Sequence, residues 1–221
     1  MSQAPDGRLG ARYNSRARRG EVEAVPEIRP MRIPGRWREG YVLDYHTVGS
    51  SFLGYDEYGH PVFDTKRTEV GELLFRLKYR SETSALDELA RAATQFIASW
   101  DPGIEIIIPV PPSRSFRSVQ PVIALAEEIS KQLNIPLGKD CATKVKDLPE
   151  LKNIYEFHER LRILSGAYAV DSSVVAGKKI LLFDDLYRSG ATMNAITAVL
   201  YDQGRAADVY AFAITRTRSK S

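Results

Sequence analysis

The sequence predicts an α/β fold: a mainly parallel, twisted sheet flanked by helices, with a small N-terminal β-rich hood. Three observations carry that prediction. Ile104–Val110 is a short, nearly unbroken β-branched run, the pattern of a strand buried on both faces. Lys179–Phe183 and Val209–Thr215 repeat it further along the chain. Between these runs lie stretches with helical spacing of apolar residues, Val119–Leu133 and Ala191–Asp202. Strands that alternate with helices form parallel pairs through crossover connections, so the sheet is covered on both sides.

In chain order, residues 1–30 come first. They carry Arg8, Arg12, Arg16, Arg18 and Arg19 with few large apolar residues. Such a segment buries too little surface to offset its ordering entropy, and it reads as a flexible basic tail. Residues 31–68 form the hood. Tyr41–Tyr45, Ser51–Tyr55 and Pro61–Phe63 are short β-type runs broken at Gly49 and Gly59-His60-Pro61, which predicts a small antiparallel meander. The α/β domain is expected over 69–221. Val70, Leu73, Leu74 and Leu77 share one face of a helix over Glu69–Arg80, and a longer helix spans Ser84–Trp100 until Asp101-Pro102-Gly103 stops it. Pro121 suits the first turn of the helix at Val119–Leu133. Ala142–Lys146 and Ala167–Val170 read as strands, and Lys146–Glu156 as a polar loop. Gly204 follows the Ala191–Asp202 helix in the position where helices favour a glycine.

Composition narrows the class. The chain has 221 residues, 43% of them apolar, enough for one full core. A net charge of +3 is too weak to make nucleic acid the main partner. The single cysteine, Cys141, makes no internal disulfide, and the three histidines are scattered. No window approaches the about 20 apolar residues of a membrane span. A cytoplasmic protein without a membrane partner is expected.

The chemistry concentrates in Ile180–Thr192. A buried strand, Ile180-Leu181-Leu182-Phe183, runs into Asp184-Asp185 and then Leu186-Tyr187-Arg188-Ser189-Gly190-Ala191-Thr192 at the start of a helix. Two adjacent carboxylates at a strand end are not core, because burying them unpaired costs several kcal/mol. They face solvent, a cation or hydroxyl donors. The small residues that follow let the backbone approach a ligand, and free amides at a helix start favour an anion. Acceptors for sugar hydroxyls thus stand beside donors for a phosphate, the pairing a ribose 5-phosphate needs. The Gly-x-x-x-x-Gly-Lys-Ser/Thr pattern of a nucleotide P-loop is absent. So is the early acidic pair with a further acceptor Asp that phospho-receiver domains require.

Ile180–Thr192 resembles the phosphoribosyl pyrophosphate signature of type I phosphoribosyltransferases. Together with Leu77-Lys78-Tyr79, Ile108-Pro109-Val110-Pro111, Arg160 with Arg162, and Gly166-Ala167-Tyr168, it looks like the ComF-type, amidophosphoribosyltransferase-like subfamily over about Glu69–Thr215. The cysteine-rich ribbon usual in that subfamily is missing, and Arg188 stands where small residues are common. The resemblance implies roles. Asp184 and Asp185 hold the ribose hydroxyls and are the expected catalytic pair. Arg188, Ser189, Gly190, Ala191 and Thr192 cradle the 5-phosphate. Pro111, Pro112, Ser113 and Arg114 grip pyrophosphate. A flexible loop with Lys144, Lys146 and Lys152, and the nearby Arg160 and Arg162, closes over the site. Mg2+ is the implied cofactor, bound mainly through phosphoribosyl pyrophosphate, and no protein metal site is expected.

The implied activity is transfer of the 5-phosphoribosyl group to a nitrogenous base or amine with release of pyrophosphate. The alternative is a non-catalytic binder of phosphoribosyl pyrophosphate or a nucleotide, or a ComF-like accessory factor in DNA uptake. The basic tail together with Arg216, Arg218 and Lys220 motivates the nucleic-acid version. A homodimer is compatible with the family.

Overall fold

The computed structural model describes residues 25–112, 120–146 and 157–218. Its main sheet has five strands in the order β1-β2-β9-β8-β5: Met31–Arg32, Glu39–Tyr45, Asp208–Arg216, Lys179–Tyr187 and Ile106–Pro109. Only β1 runs antiparallel to its neighbour; β2, β9, β8 and β5 are parallel. The expected α/β class is therefore the observed one.

Side-chain alternation along β8 divides the core. Ile180 and Leu182 pack on one face with α6 (Ala191–Asp202), while Leu181 and Phe183 pack on the other with α1 (Glu69–Arg80), α2 (Thr83–Trp100) and α3 (Pro121–Leu133). β9 alternates likewise, with Ala211 and Ala213 on the first side and Phe212 and Ile214 on the second. Near-continuous apolar runs follow from a sheet buried on both faces.

The structure departs from the expected meander. β2 leaves the Tyr41–Phe63 region and joins the main sheet, parallel to β9. Only β3 (Thr47–Tyr55) and β4 (Pro61–Arg67) form an antiparallel hairpin. The reason lies in burial: Val42 and Leu43 are fully buried on opposite faces, whereas Phe52, Leu53, Tyr55 and Phe63 are exposed. Strand-type residues alone do not distinguish a central strand from a projecting hairpin. The run at Ala167–Val170 also departs. As β7 (Tyr168–Val170) it pairs antiparallel with β6 (Ala142–Lys144), apart from the main sheet.

Two short helices, α4 (Phe157–Leu164) and α5 (Ser172–Val175), complete the elements. Where β4 meets α1, Thr68 caps the helix: its hydroxyl accepts from Gly71 N–H at 3.0 Å and donates to the Tyr45 carbonyl at 2.6 Å. That bond ties α1 to the carboxyl end of β2, where the candidate site lies. The basic tail, read over 1–30, falls mostly outside the described residues. No helix among the described residues is long and apolar enough to cross a membrane.

Candidate functional site

β8 does not end at Phe183. It continues to Tyr187, so the acidic pair sits inside the strand, with Asp184 level with Ala213 and Leu186 level with Thr215 of β9. The strand tolerates the carboxylates because Lys78 pairs with one of them and burial favours the neutral form of the other. Alternation then sends the two side chains to opposite faces. Asp185 meets Lys78 of α1, with Nζ 2.8 Å from its carboxylate and both side chains largely buried. Asp184 lies on the α6 side, where its charge bears on Tyr168 of β7. Adjacency in sequence therefore does not produce a side-by-side pair. Its two oxygen-bearing arms project from opposite faces of the strand, short of its end at Tyr187.

The electrostatics of the two arms differ. Burial, with Asp185 beside it, pushes the Asp184 carboxyl up to about 7. It accepts the Asp185 backbone N–H at 2.8 Å. His46, just past β2, shifts the other way. Burial, reinforced by Lys78 and Arg67, drops its imidazole to about 4, so it is neutral at pH 7. Its Nδ1 lies 3.4 Å from the Thr215 hydroxyl.

These shifts predict opposing pH slopes. Asp184 has a folded value above its unfolded one, so the folded chain binds more protons and stability falls as pH rises from about 4 to about 7. His46 has a folded value below its unfolded one, so stability falls as pH drops from about 6.5 to about 4. Asp184→Asn removes the first slope. Its melting temperature relative to the native chain is expected to rise steadily between pH 4 and pH 7.5; a constant difference across that range contradicts a buried, raised carboxyl.

The turn after β8 is built around Gly190, which caps α6 with a left-handed φ of 73°. Its carbonyl accepts the Asn194 side-chain amide at 2.9 Å, and the Asn194 carbonyl oxygen takes the Arg36 N–H at 2.8 Å. Tyr187 is fixed beneath the turn, its hydroxyl donating to the Pro34 carbonyl at 3.1 Å and its ring edge-on to Trp37. The cradle is thus rigid from below. Gly190 and Ala191 are buried, Ser189 and Thr192 part-buried, and Arg188 exposed. Thr192 shares a side-chain hydrogen bond with Tyr168. The Ala191 N–H reaches the Ser189 hydroxyl at 3.5 Å; the helix start as a whole, with Arg188 outside it, suits a phosphate.

The other expected contacts arrive from two sides. The Val110 N–H donates to the Phe183 carbonyl at 2.8 Å, which brings Pro111 and Pro112 beside the carboxyl end of β8. Ser113, Arg114 and Lys152 lie outside the described residues, as does the Arg160 side chain. Lys144 is exposed on β6 opposite Tyr168. Lys146 is exposed and donates to the Ser165 carbonyl at 3.2 Å; Arg162 is exposed on α4. The structure therefore gathers Asp184, Asp185, Arg188–Thr192 and Pro111–Pro112 at one end of the sheet. Lys144 stands one strand pair away.

Sequence reasoning noted Lys78 only as part of a motif, assigned no role to His46, and read Arg216 only as part of a basic C-terminal group that could meet nucleic acid. Lys78 carries a readable signal: it directly follows the buried Leu77 on an amphipathic helix. His46 and Arg216 become visible only once β2 is known to pair with β9. Among the described residues no group of three His, Cys, Asp or Glu side chains forms a metal cluster. A depression of about 320 Å³ lined by Arg32, Ile33, Trp37 and Glu39 includes none of the expected site residues.

No family model matches the chain, and no curated protein matches it. Solved structures similar to it include adenine phosphoribosyltransferase from Saccharomyces cerevisiae, complexed with an imino-altritol bisphosphate and adenine. That likeness has 12% identity over 76% of this chain and 83% of the other, at a TM-score of 0.45. The Trypanosoma brucei adenine phosphoribosyl transferase, in complex with AMP, pyrophosphate and ribose-5-phosphate, shares 13% identity over 75% and 76%, at 0.42. A structure of the allosteric regulatory enzyme of purine biosynthesis shares 14% identity over 75% of this chain and 35% of its own, at 0.43.

Proposed function

We propose that the chain binds phosphoribosyl pyrophosphate and transfers its 5-phosphoribosyl group to a nitrogen acceptor, releasing pyrophosphate. The observation that carries the reading is the junction of β8 and α6. There two carboxylates leave opposite faces of the last part of β8, and a Gly190-capped helix start follows three residues after the strand. Carboxylates accept from ribose hydroxyls, and helix N–H groups with Arg188 hold the 5-phosphate.

In the reaction the bond from ribose C1 to the pyrophosphate oxygen breaks, and its electron pair leaves with pyrophosphate. A bond forms from the acceptor nitrogen to C1, and the nitrogen's proton passes to solvent. Positive charge builds on the sugar ring as the leaving group departs, and in this reading the Asp184 and Asp185 carboxylates stabilise it. Lys78 holds Asp185 in place. Mg2+ fits this site as a cation carried by pyrophosphate. Asp184 and Asp185 face opposite sides of β8, which suits contact with the ligand's hydroxyls better than joint chelation. When bound, the ion neutralises charge developing on the leaving group.

The test is pyrophosphate release from phosphoribosyl pyrophosphate with Mg2+ and a panel of purines, pyrimidines and amines. Acceptor-dependent release is expected. A rise in melting temperature with phosphoribosyl pyrophosphate, but no release with any acceptor, makes the chain a binder and rejects transfer.

A further inference from the structure

Seven of the ten large apolar residues that are exposed among the described residues lie on the β3–β4 hairpin, between Val48 and Phe63. The hairpin pairs with no other strand among the described residues. Two strands alone are marginally stable in water and need a further strand or a packed face. Here the face is open. Phe52 lies 5.3 Å from Tyr55 and 5.5 Å from Phe63, ring centre to ring centre. Phe52, Tyr55 and Phe63 are 53%, 71% and 53% exposed. At about 200 Å² for each ring, the three leave on the order of 350 Å² of apolar surface in water. A contiguous patch of that size marks an interaction surface.

The two edges of the hairpin differ. β3 is irregular at Val48 and Leu53, which have no cross-strand partners, and such bulges blunt an edge. β4 is paired at every residue from Pro61 to Arg67, so its outer edge is regular. Asp64 and Lys66 flank Thr65 on that edge and share one face, because side chains alternate. That charge pattern selects a partner. When β4 pairs antiparallel with β4 of a second copy, about a two-fold axis at Thr65, Asp64 of each copy stands opposite Lys66 of the other. An axis at Asp64 or at Lys66 sets like charges against each other instead. Phe63 shares the opposite face with Arg67. In the Thr65 register it meets Arg67 of the second copy, a guanidinium held 3.8 Å over Phe75, whose ring is 4.9 Å from that of the exposed Tyr79. The aromatic row therefore continues across the axis, once in each direction. Both patches and the two paired edges together come to roughly 1,000 Å², the lower limit of a specific interface. The hairpin tip carries Asp56 and Glu57 and no Lys or Arg, which disfavours nucleic acid and anionic lipid. We infer that the hairpin is a dimerisation arm, and that its occupant is a second copy of this chain joined along β4.

Sedimentation of the full chain is expected to show a monomer–dimer equilibrium with a micromolar dissociation constant. Asp64→Lys and Lys66→Asp each set like charges opposite one another at two points of the interface. Each is expected to raise the dissociation constant at least about tenfold. The two substitutions combined reverse both signs and restore the dimer. Phe63→Ser weakens it without altering a charge. Melting temperatures report whether each variant is folded, and Lys66→Asp carries the test should Asp64→Lys fail to fold. A chain that stays monomeric at near-millimolar concentration overturns the inference. So does a dimer indifferent to both single variants, or one that the double variant does not restore. A monomer that floats with phosphatidylcholine–phosphatidylglycerol vesicles assigns the hairpin to a lipid surface and overturns it as well. None of these measurements depends on transfer activity.

Discussion

Replacing Asp184 and Asp185 together by asparagine is expected to lower pyrophosphate release by about a hundredfold to ten-thousandfold. On the proposed reading each carboxylate contributes a charged hydrogen bond to a sugar hydroxyl, worth roughly 1.5–3 kcal/mol, or about one to two powers of ten. The amides keep the shape but lose the charge that offsets the developing positive ring. The two single variants separate the roles. Asp185→Asn also strips Lys78 of its partner at 2.8 Å, leaving a largely buried ammonium uncompensated. It should lose stability as well as activity. Asp184→Asn removes a carboxyl that burial has pushed up to about 7, so it should lose activity while holding or gaining stability at neutral pH. Rate measurements at saturating phosphoribosyl pyrophosphate, paired with thermal melts, check this contrast. Equal loss of stability in both single variants refutes the division of labour.

The contrast rests on something the sequence showed only in part. The order of strands and helices from Glu69 onward is readable because buried parallel strands and amphipathic helices write distinct periods. The helices Glu69–Arg80 and Ala191–Asp202 agree to the residue. The candidate site's centre stands out in the sequence for a related reason: adjacent carboxylates and a glycine turn at the end of an apolar run have few structural explanations. What sequence does not carry is lateral order. Tyr41–Tyr45 reads as a strand but says nothing of lying beside β9, more than 160 residues later in the chain. His46 and Arg216 are therefore distant in sequence and joined by one backbone hydrogen bond in space. Nor does sequence show that Asp184 and Asp185 diverge, because that depends on β8 running on past Phe183 to Tyr187. Lys78 needed both facts, the length of β8 and the face against which α1 packs.

Gly190→Ala is expected to destabilise the chain by about 2–5 kcal/mol and to abolish tight phosphate binding. Two costs add. The residue sits at φ 73°, where a Cβ clashes with its own backbone, at roughly 1–2 kcal/mol. The new methyl also lands 2.6 Å from the Tyr187 ring. Tyr187 cannot easily retreat: its hydroxyl holds the Pro34 carbonyl and its ring packs against Trp37. Overpacking of that kind costs about 1–3 kcal/mol. For a chain of this size the sum lowers the melting temperature by about 4–20 °C. The costs are separable. Tyr187→Leu in the Gly190→Ala background opens space for the methyl but leaves φ unchanged. The double variant should therefore recover more stability than the two single losses predict, while phosphate binding stays impaired, because the turn that aims the α6 N–H groups is still strained. Melting curves with and without inorganic phosphate test both halves. Strict additivity of the two losses removes the steric argument, and phosphate stabilisation undiminished in Gly190→Ala removes the cradle.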